Sequence, residues 1–192
     1  MPALNDPVVR AGSLAQARQP ELRSGDLLLR PWADDDADAL VAAFADPAIR
    51  YWHARSVDSR AEAVEMVARY NRAWRSETGA HWAITGSGDQ LVGRVGLRTI
   101  DLGEGLAEIA YWIVAAGRGR GTAVRAVAAM SAWALGDLGL HRLECQHAVA
   151  NTASCRVAQK AGYAYEGTKR SACLHADGWH DMHLHAQVRS DT

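Results

Sequence analysis

Hydrophobic positions follow two rhythms along the chain, and their alternation lays out the elements. "DLLLRPW" (26–32) is a short apolar run stopped at Pro31, which predicts a first strand. "DDDADALVAAFADP" predicts a helix: acids fill its first turn, where the dipole favours them, and Asp46-Pro47 stops it. "SRAEAVEMVARYNRAWRSE" opens on Ser59-x-x-Glu62, a capping box, and sets Ala63, Val67, Tyr70 and Trp74 on one helical face. "HWAIT" and "QLVGRVGLRTID" flank the turn signal "GSGD" and predict a hairpin. "LAEIAYWIVA" (106–115) is apolar throughout, as expected of a strand covered on both faces. A helix starting near Thr122 keeps Val124, Val127, Ala128, Leu135 and Leu138 at core-facing spacing. "LHRLECQHAV" is a further strand, and "NTASCRVAQKAG" a helix with Asn151 as N-cap and Gly162 at its far end. "YAYEGTKRSACL" and "WHDMHLHAQV", joined by Ala176-Asp177-Gly178, read as a closing hairpin.

The order β-α-α-β-β-β-α-β-α-β-β, without an internal repeat, predicts one α+β domain around a mixed sheet. Residues 1–24 show weak periodicity and many small or polar side chains. They read as a loosely held N-terminal extension to a domain spanning 25–192, packing on its body or on a second subunit in a homodimer.

Composition narrows the class. A hydrophobic fraction of 48% with 22% charged residues is that of an ordinary globular protein. A formal net charge of −1 supplies no global field toward nucleic acid or membrane, so neither is expected as a partner. Cys145, Cys155 and Cys173 have no metal-type spacing and read as free thiols of a cytoplasmic protein. No apolar run approaches the ~20 residues of a membrane span.

The chemistry concentrates in Gly117-Arg118-Gly119-Arg120-Gly121, between a strand and a helix. Glycines let the backbone approach a ligand, and the free amides of the first helical turn point at it with the dipole behind them. With two arginines added, phosphate is the natural guest. Gly121-Thr122-Ala123 is not the Gly-Lys-Ser/Thr of a Walker loop, and the glycine spacing is not that of a dinucleotide fingerprint. A single copy between regular elements is also unlike a disordered nucleic-acid-binding repeat.

Arg118-x-x-Gly121-x-Ala123 resembles the (Arg/Gln)-x-x-Gly-x-(Gly/Ala) signature of the GNAT N-acetyltransferases, which bind the pyrophosphate of acetyl-CoA. "AEIAYWI" stands upstream like that family's central strand. Asn151-x-x-Ser154, Lys160-x-Gly162-Tyr163 and Glu166-Gly167 follow in the order of its ribosomal-protein acetyltransferase (Rim-type) branch, and "LLLRPW" and "DGWHD" resemble the branch's first strand and final hairpin. The likeness covers roughly residues 26–189. It implies a GNAT fold, with a mixed, mostly antiparallel central sheet flanked by about four helices.

The resemblance also implies acetyl-CoA as co-substrate and no metal. Backbone around Ile113 and Val114 would pair with the pantetheine arm. The stretch Arg118, Gly119, Arg120, Gly121, Thr122 and Ala123 would hold the pyrophosphate, with Asn151 and Ser154 on the far wall of the cleft. An amine would attack the thioester directly. Glu108 aligns with a central-strand glutamate that serves as base elsewhere in the family, and otherwise would orient the amine or pair with an arginine. An amide on the 112–114 segment would stabilise the oxyanion. Many GNATs place a proton-donating tyrosine one turn after the Asn motif; here that residue is Ala158, which leaves Ser154 to protonate the leaving thiolate. Where some Rim-type members carry a second acid, this chain has Cys173.

Tyr51, Trp52 and His53 fall where the branch builds its acceptor wall, and His175 is assigned to the same pocket. The set His175, His180, Asp181, His183 and His185 is not read as a metal site. Trp82, Trp112 and Trp133 read as packing residues. The acceptor stays open between a protein or peptide N-terminus, which is favoured, and a small-molecule amine; a non-catalytic acyl-CoA-binding domain is the other alternative.

Overall fold

A computed structural model describes residues 4–191. Eight strands form one sheet in the order β1-β2-β3-β4-β5-β6-β8-β7. They are β1 (Leu22–Ser24), β2 (Leu27–Pro31), β3 (Ala80–Thr85), β4 (Leu91–Asp101), β5 (Leu106–Ile113), β6 (Arg142–Ala148), β7 (Ala164–His175) and β8 (Gly178–Val188). Every neighbouring pair is antiparallel except β5–β6. One face carries α4 (Thr122–Leu135) and α5 (Thr152–Lys160) over a core that includes Trp82, Leu97, Ile109, Met130 and Leu143. The other face lies under α1 (Ala37–Phe44), α2 (Pro47–His53) and α3 (Arg60–Arg75), whose core includes Trp32, Phe44, Val67 and Trp112. The GNAT fold is therefore present, with five helices rather than about four. No helix among the described residues is long and apolar enough to cross a membrane.

The extra helix comes from a signal read only as a stop. Asp46-Pro47 ends α1 and also begins α2, with Asp46 Oδ1 accepting from the Ala48 amide at 2.8 Å and Pro47 in the first turn, where its missing N–H costs nothing. At α3, Ser59 Oγ accepts from the Glu62 amide at 3.2 Å, while the Glu62 carboxylate takes the Asp58 amide at 2.8 Å. Ala63, Val67, Tyr70 and Trp74 are all buried, as their spacing predicts. On α4 the inward stripe is shifted: Ala126, Val127, Met130, Ala134 and Leu135 are buried, whereas Ala128 is exposed and Val124 and Leu138 are only partly covered.

The N-terminal segment is pinned to the body rather than loosely held. Val9 and Leu14 are buried, and the Glu77 carboxylate accepts from the amides of Gly12 at 2.7 Å and Leu14 at 2.8 Å. Two indoles extend the anchorage, Trp74 Nε1 donating to Ala17 O at 2.9 Å and Trp82 Nε1 to Pro20 O at 2.7 Å. The segment then continues into β1, a strand its sequence does not announce.

Candidate active site

The site follows from the one parallel pairing in the sheet. β5 and β6 are in register only from Leu106↔Arg142 to Ile109↔Cys145, and beyond that point they part. The gap opens into a cleft of about 1130 Å³. Hydrogen bonding fixes which β5 groups face it. The Val114 amide donates to Val92 O across the β4 side at 3.0 Å, and the Gly117 amide takes the Val114 carbonyl at 2.9 Å. Alternation along the strand then turns the backbone groups of Tyr111 and Ile113 toward the gap. Val114 is thus committed elsewhere, contrary to its expected role, and the 112–114 segment offers the cleft one amide, that of Ile113. Both cleft-facing carbonyls are in use: His53 Nε2 donates to Tyr111 O at 3.1 Å, and Arg118 Nε donates to Ile113 O at 2.9 Å.

The glycine-arginine loop turns sharply into α4. Gly119 (φ +75°) and Gly121 (φ +73°) occupy the left-handed region, and a Cβ on either would meet nothing within 4 Å. No amide from Gly119 to Ala123 donates to a backbone carbonyl. They form the bare, positive end of a 14-residue helix opening on the cleft. Thr122 Oγ1 holds the turn closed on Gly117 O at 2.9 Å. Arg118 lines the cleft but is engaged within the protein: Nη2 donates to Asp46 Oδ2 at 2.6 Å and its own amide closes a turn on Ala115 O. It ties the loop to the carboxylate that caps α2. Arg120 is exposed and outside the cleft lining.

On the opposite wall, Asn151 Oδ1 accepts from the Ser154 amide at 3.1 Å, so Asn151 is the α5 cap and lines the cleft as well. Tyr111 reaches the same place from β5, its hydroxyl donating to Ser154 O at 3.4 Å. Burial holds that phenol above its ordinary pKa, so it stays protonated at neutral pH. A tyrosine hydroxyl therefore stands beside Ser154 on the cleft wall, although the helix itself carries Ala158 one turn after Ser154. Only its place in the three-dimensional cleft, not a motif, identifies it.

Toward the acceptor end, Glu108 lines the cleft and is paired with Arg98 at 2.8 Å, its side chain 16% exposed. Arg98 occupies the β4 bulge between Leu97 and Thr99. Trp52, His53 and His175 line the wall; Tyr51 stands behind Trp52 with ring centroids 4.6 Å apart and donates to Asp177 Oδ2 at 2.7 Å. Burial and the nearby Arg94 pull the His53 pKa down to about 4, so the ring is neutral and its Nε2 carries the proton donated to Tyr111. Below these residues lies Arg94, buried and in the cleft lining, with Nη2 2.8 Å from His81 Nδ1.

The C-terminal histidines divide into two groups. His175 and His180 stack 4.5 Å apart beside Asp177, whereas His183 and His185 gather with His147 and Cys155. Asp181 joins neither group; its Oδ1 accepts from the Ser171 amide at 2.8 Å.

Comparison with known proteins agrees with this architecture. The chain is 26% identical over 172 residues to the uncharacterized N-acetyltransferase YoaA of Bacillus subtilis, covering 88% of this chain and 97% of that protein. It is 32% identical over 129 residues to the probable N-acetyltransferase YjcK of the same organism, covering 66% and 71%. Among solved structures, RimL, a ribosomal L7/L12 alpha-N-protein acetyltransferase in complex with coenzyme A, superposes with a TM-score of 0.79 at 20% identity over 88% of this chain and 98% of that one. The acetyltransferase (GNAT) domain matches residues 26–164, and the chain belongs to the GNAT acetyltransferase family.

Proposed function

We propose that the chain transfers the acetyl group of acetyl-CoA to a primary amine in a ternary complex, and that the amine is the N-terminal α-amine of a protein or peptide. The observation that carries the first part is the run of unpaired amides from Gly119 to Ala123 at the head of α4, facing the gap between β5 and β6. A diphosphate fits that positive helix end. The amides of Tyr111 and Ile113 suit an extended arm laid along β5. Protonation of the leaving thiolate is assigned to Ser154 or to the Tyr111 hydroxyl, which lie together on the cleft wall. RimL, which binds coenzyme A and acts on a protein α-amine, shares the fold and supports the acceptor class.

An α-amine suits this modest machinery. Its pKa of about 7.7–8.0, against about 10.4 for lysine, leaves part of it neutral at physiological pH. Glu108, anchored by Arg98, then needs to accept a proton only through a short water chain. Glu108→Gln is expected to lower kcat on the order of 10²-fold, within the usual range for a general base. The deficit should shrink above about pH 8, where the amine deprotonates unaided. Stopped assays with a panel of peptides and small amines across pH would check this. A pH-independent deficit makes Glu108 an orienting residue, and turnover of small amines alone moves the acceptor to that class. CoA binding without turnover of any amine would leave a binding domain.

A further inference from the structure

We infer that the acceptor carries a carboxylate beside its amine and that Arg94, in the floor of the cleft, receives it; this rests on the acetyltransferase reading above. Arg94 is 6% exposed on the β4 face beneath α3, with Cζ 5.0 Å from the centre of the Tyr70 ring. Nη2 is held by His81 Nδ1 at 2.8 Å, and Nε, fully buried, has no partner. No ion pair among the described residues includes Arg94. A buried guanidinium without a counter-ion is strongly disfavoured unless an anion shares its cavity during function.

The surroundings sharpen the assignment. Arg55 at the end of α2 and Arg69 on α3 line the same cleft, also without ion pairs, and Glu108 is the one carboxylate among the lining residues. In a chain of net charge −1, this end of the cleft is positive. Burial and Arg94 keep His81 well below its ordinary pKa, so its Nδ1 is a lone-pair acceptor that orients the guanidinium. Gly96 preserves the arrangement, since a Cβ there would lie 2.6 Å from His81 Nδ1. Arg94 itself pairs with Trp112, four positions along β5 from Glu108, but its guanidinium reaches back to His81, which sits opposite Gly96 and so level with Ala110, two positions from Glu108; at the usual strand rise that is about 7 Å. An acidic side chain at the first or second residue of a peptide reaches toward that separation, and a free aspartate or glutamate does so through its side-chain carboxylate rather than its α-carboxylate.

The test is kcat/KM for peptides differing only at their first two residues (Glu, Gln or Lys), with free aspartate and glutamate as separate arms. The Glu peptides should exceed their Gln counterparts by roughly 10- to 100-fold, the value of a charge-assisted contact. Arg94→Gln should erase that preference while the CoA dissociation constant stays within about twofold of wild type. If that variant does not fold, the exposed pair Arg55→Ala/Arg69→Ala should still narrow the preference. Preferential turnover of free amino acids keeps the subsite and assigns the carboxylate to them. Equal turnover of Glu, Gln and Lys peptides, or a preference that survives Arg94→Gln, overturns the proposal alone. Failure to acetylate any amine overturns the acetyltransferase reading with it.

A separate observation carries a second proposal: the geometry points to a zinc-class metal site built from His147, Cys155, His183 and His185. Each offers one ligand atom, and the four atoms lie within 4.8 Å of one another. β6–β8 register sets His147 opposite His183, and α5 brings Cys155 Sγ to 3.8 Å from His185 Nε2. His147 Nδ1 hydrogen-bonds Ala148 O at 2.9 Å, the usual way a ligating imidazole is oriented, and leaves Nε2 buried without a partner. His183 Nδ1 and His185 Nδ1 are likewise buried and unpartnered. Three imidazoles and one thiolate suit tetrahedral Zn²⁺, which would fasten α5 to β8 and take no part in acetyl transfer.

Co²⁺ titrated into chelator-treated protein should bind one equivalent per chain, with a thiolate-to-cobalt absorption band and a rise in the thermal midpoint. Cys155→Ser should lose the band, and His185→Ala should weaken binding at least tenfold. Should either variant unfold, the wild-type titration decides by its stoichiometry and band. Wild-type protein that binds no Co²⁺, or binds it without the thiolate band, overturns the site.

Discussion

Gly121→Val is expected to abolish CoA binding while leaving the fold in place. Gly121 is the N-cap of α4 at φ +73°, where an L residue is strained by roughly 1–2 kcal/mol and a β-branched one most of all. That cost falls well short of a typical domain stability of about 5–15 kcal/mol. Nor does the protein obstruct the change, because a Cβ at this position meets no atom within 4 Å. The space it enters is instead the one toward which the amides of Gly119 to Ala123 open. A valine side chain there would displace a diphosphate from the helix end. In a thermal-shift titration the wild type should gain stability with CoA, and the variant should show none at millimolar ligand. Gly121→Ala should fall between them. A normal CoA shift in Gly121→Val would mean that the diphosphate binds elsewhere.

The largest expected loss of stability comes from Trp82→Ala. Trp82 is fully buried, packs edge-on against Trp133 at 5.1 Å and Trp74 at 6.4 Å, and donates its indole N–H to Pro20 O. Truncating a buried tryptophan costs about 3–5 kcal/mol. Leaving the Pro20 carbonyl unpaired adds about 1 kcal/mol. Trp82→Phe keeps most of the contact and should lose roughly half as much. Urea unfolding of the three proteins would measure both steps. An Ala variant within about 1 kcal/mol of wild type would show that the N-terminal segment and this core are not coupled as described.

Much of this molecule is legible in its sequence because the relevant signals are local. Period-2 and period-3.6 patterns place the strands and helices, and the Ser59 and Asn151 caps are written within three residues of their targets. The glycine-arginine stretch marks its own left-handed turns. What is hidden depends on distant partners. Arg94 sits in "QLVGRVGLRTID" like any solvated strand arginine, and its burial is created by β3 and α3. Tyr111 becomes a donor candidate only when α5 arrives beside it. Arg118 looks free until Asp46, 72 residues away, takes it. The Val114 amide cannot be excluded from the cleft without knowing that Val92 already holds it. Residues 12–20 look idle because their anchors, Glu77, Trp74 and Trp82, are supplied by the body.

The brief seam between β5 and β6 reaches beyond catalysis. Four residue pairs join one part of the sheet to the other, after which the strands diverge around the ligand gap. A guest lying there touches both sides, so occupancy clamps the seam, and vacancy leaves it free to breathe. Proteases act on chains that open. Digestion at this seam is therefore expected to slow when CoA is bound, which limited proteolysis with and without CoA would measure.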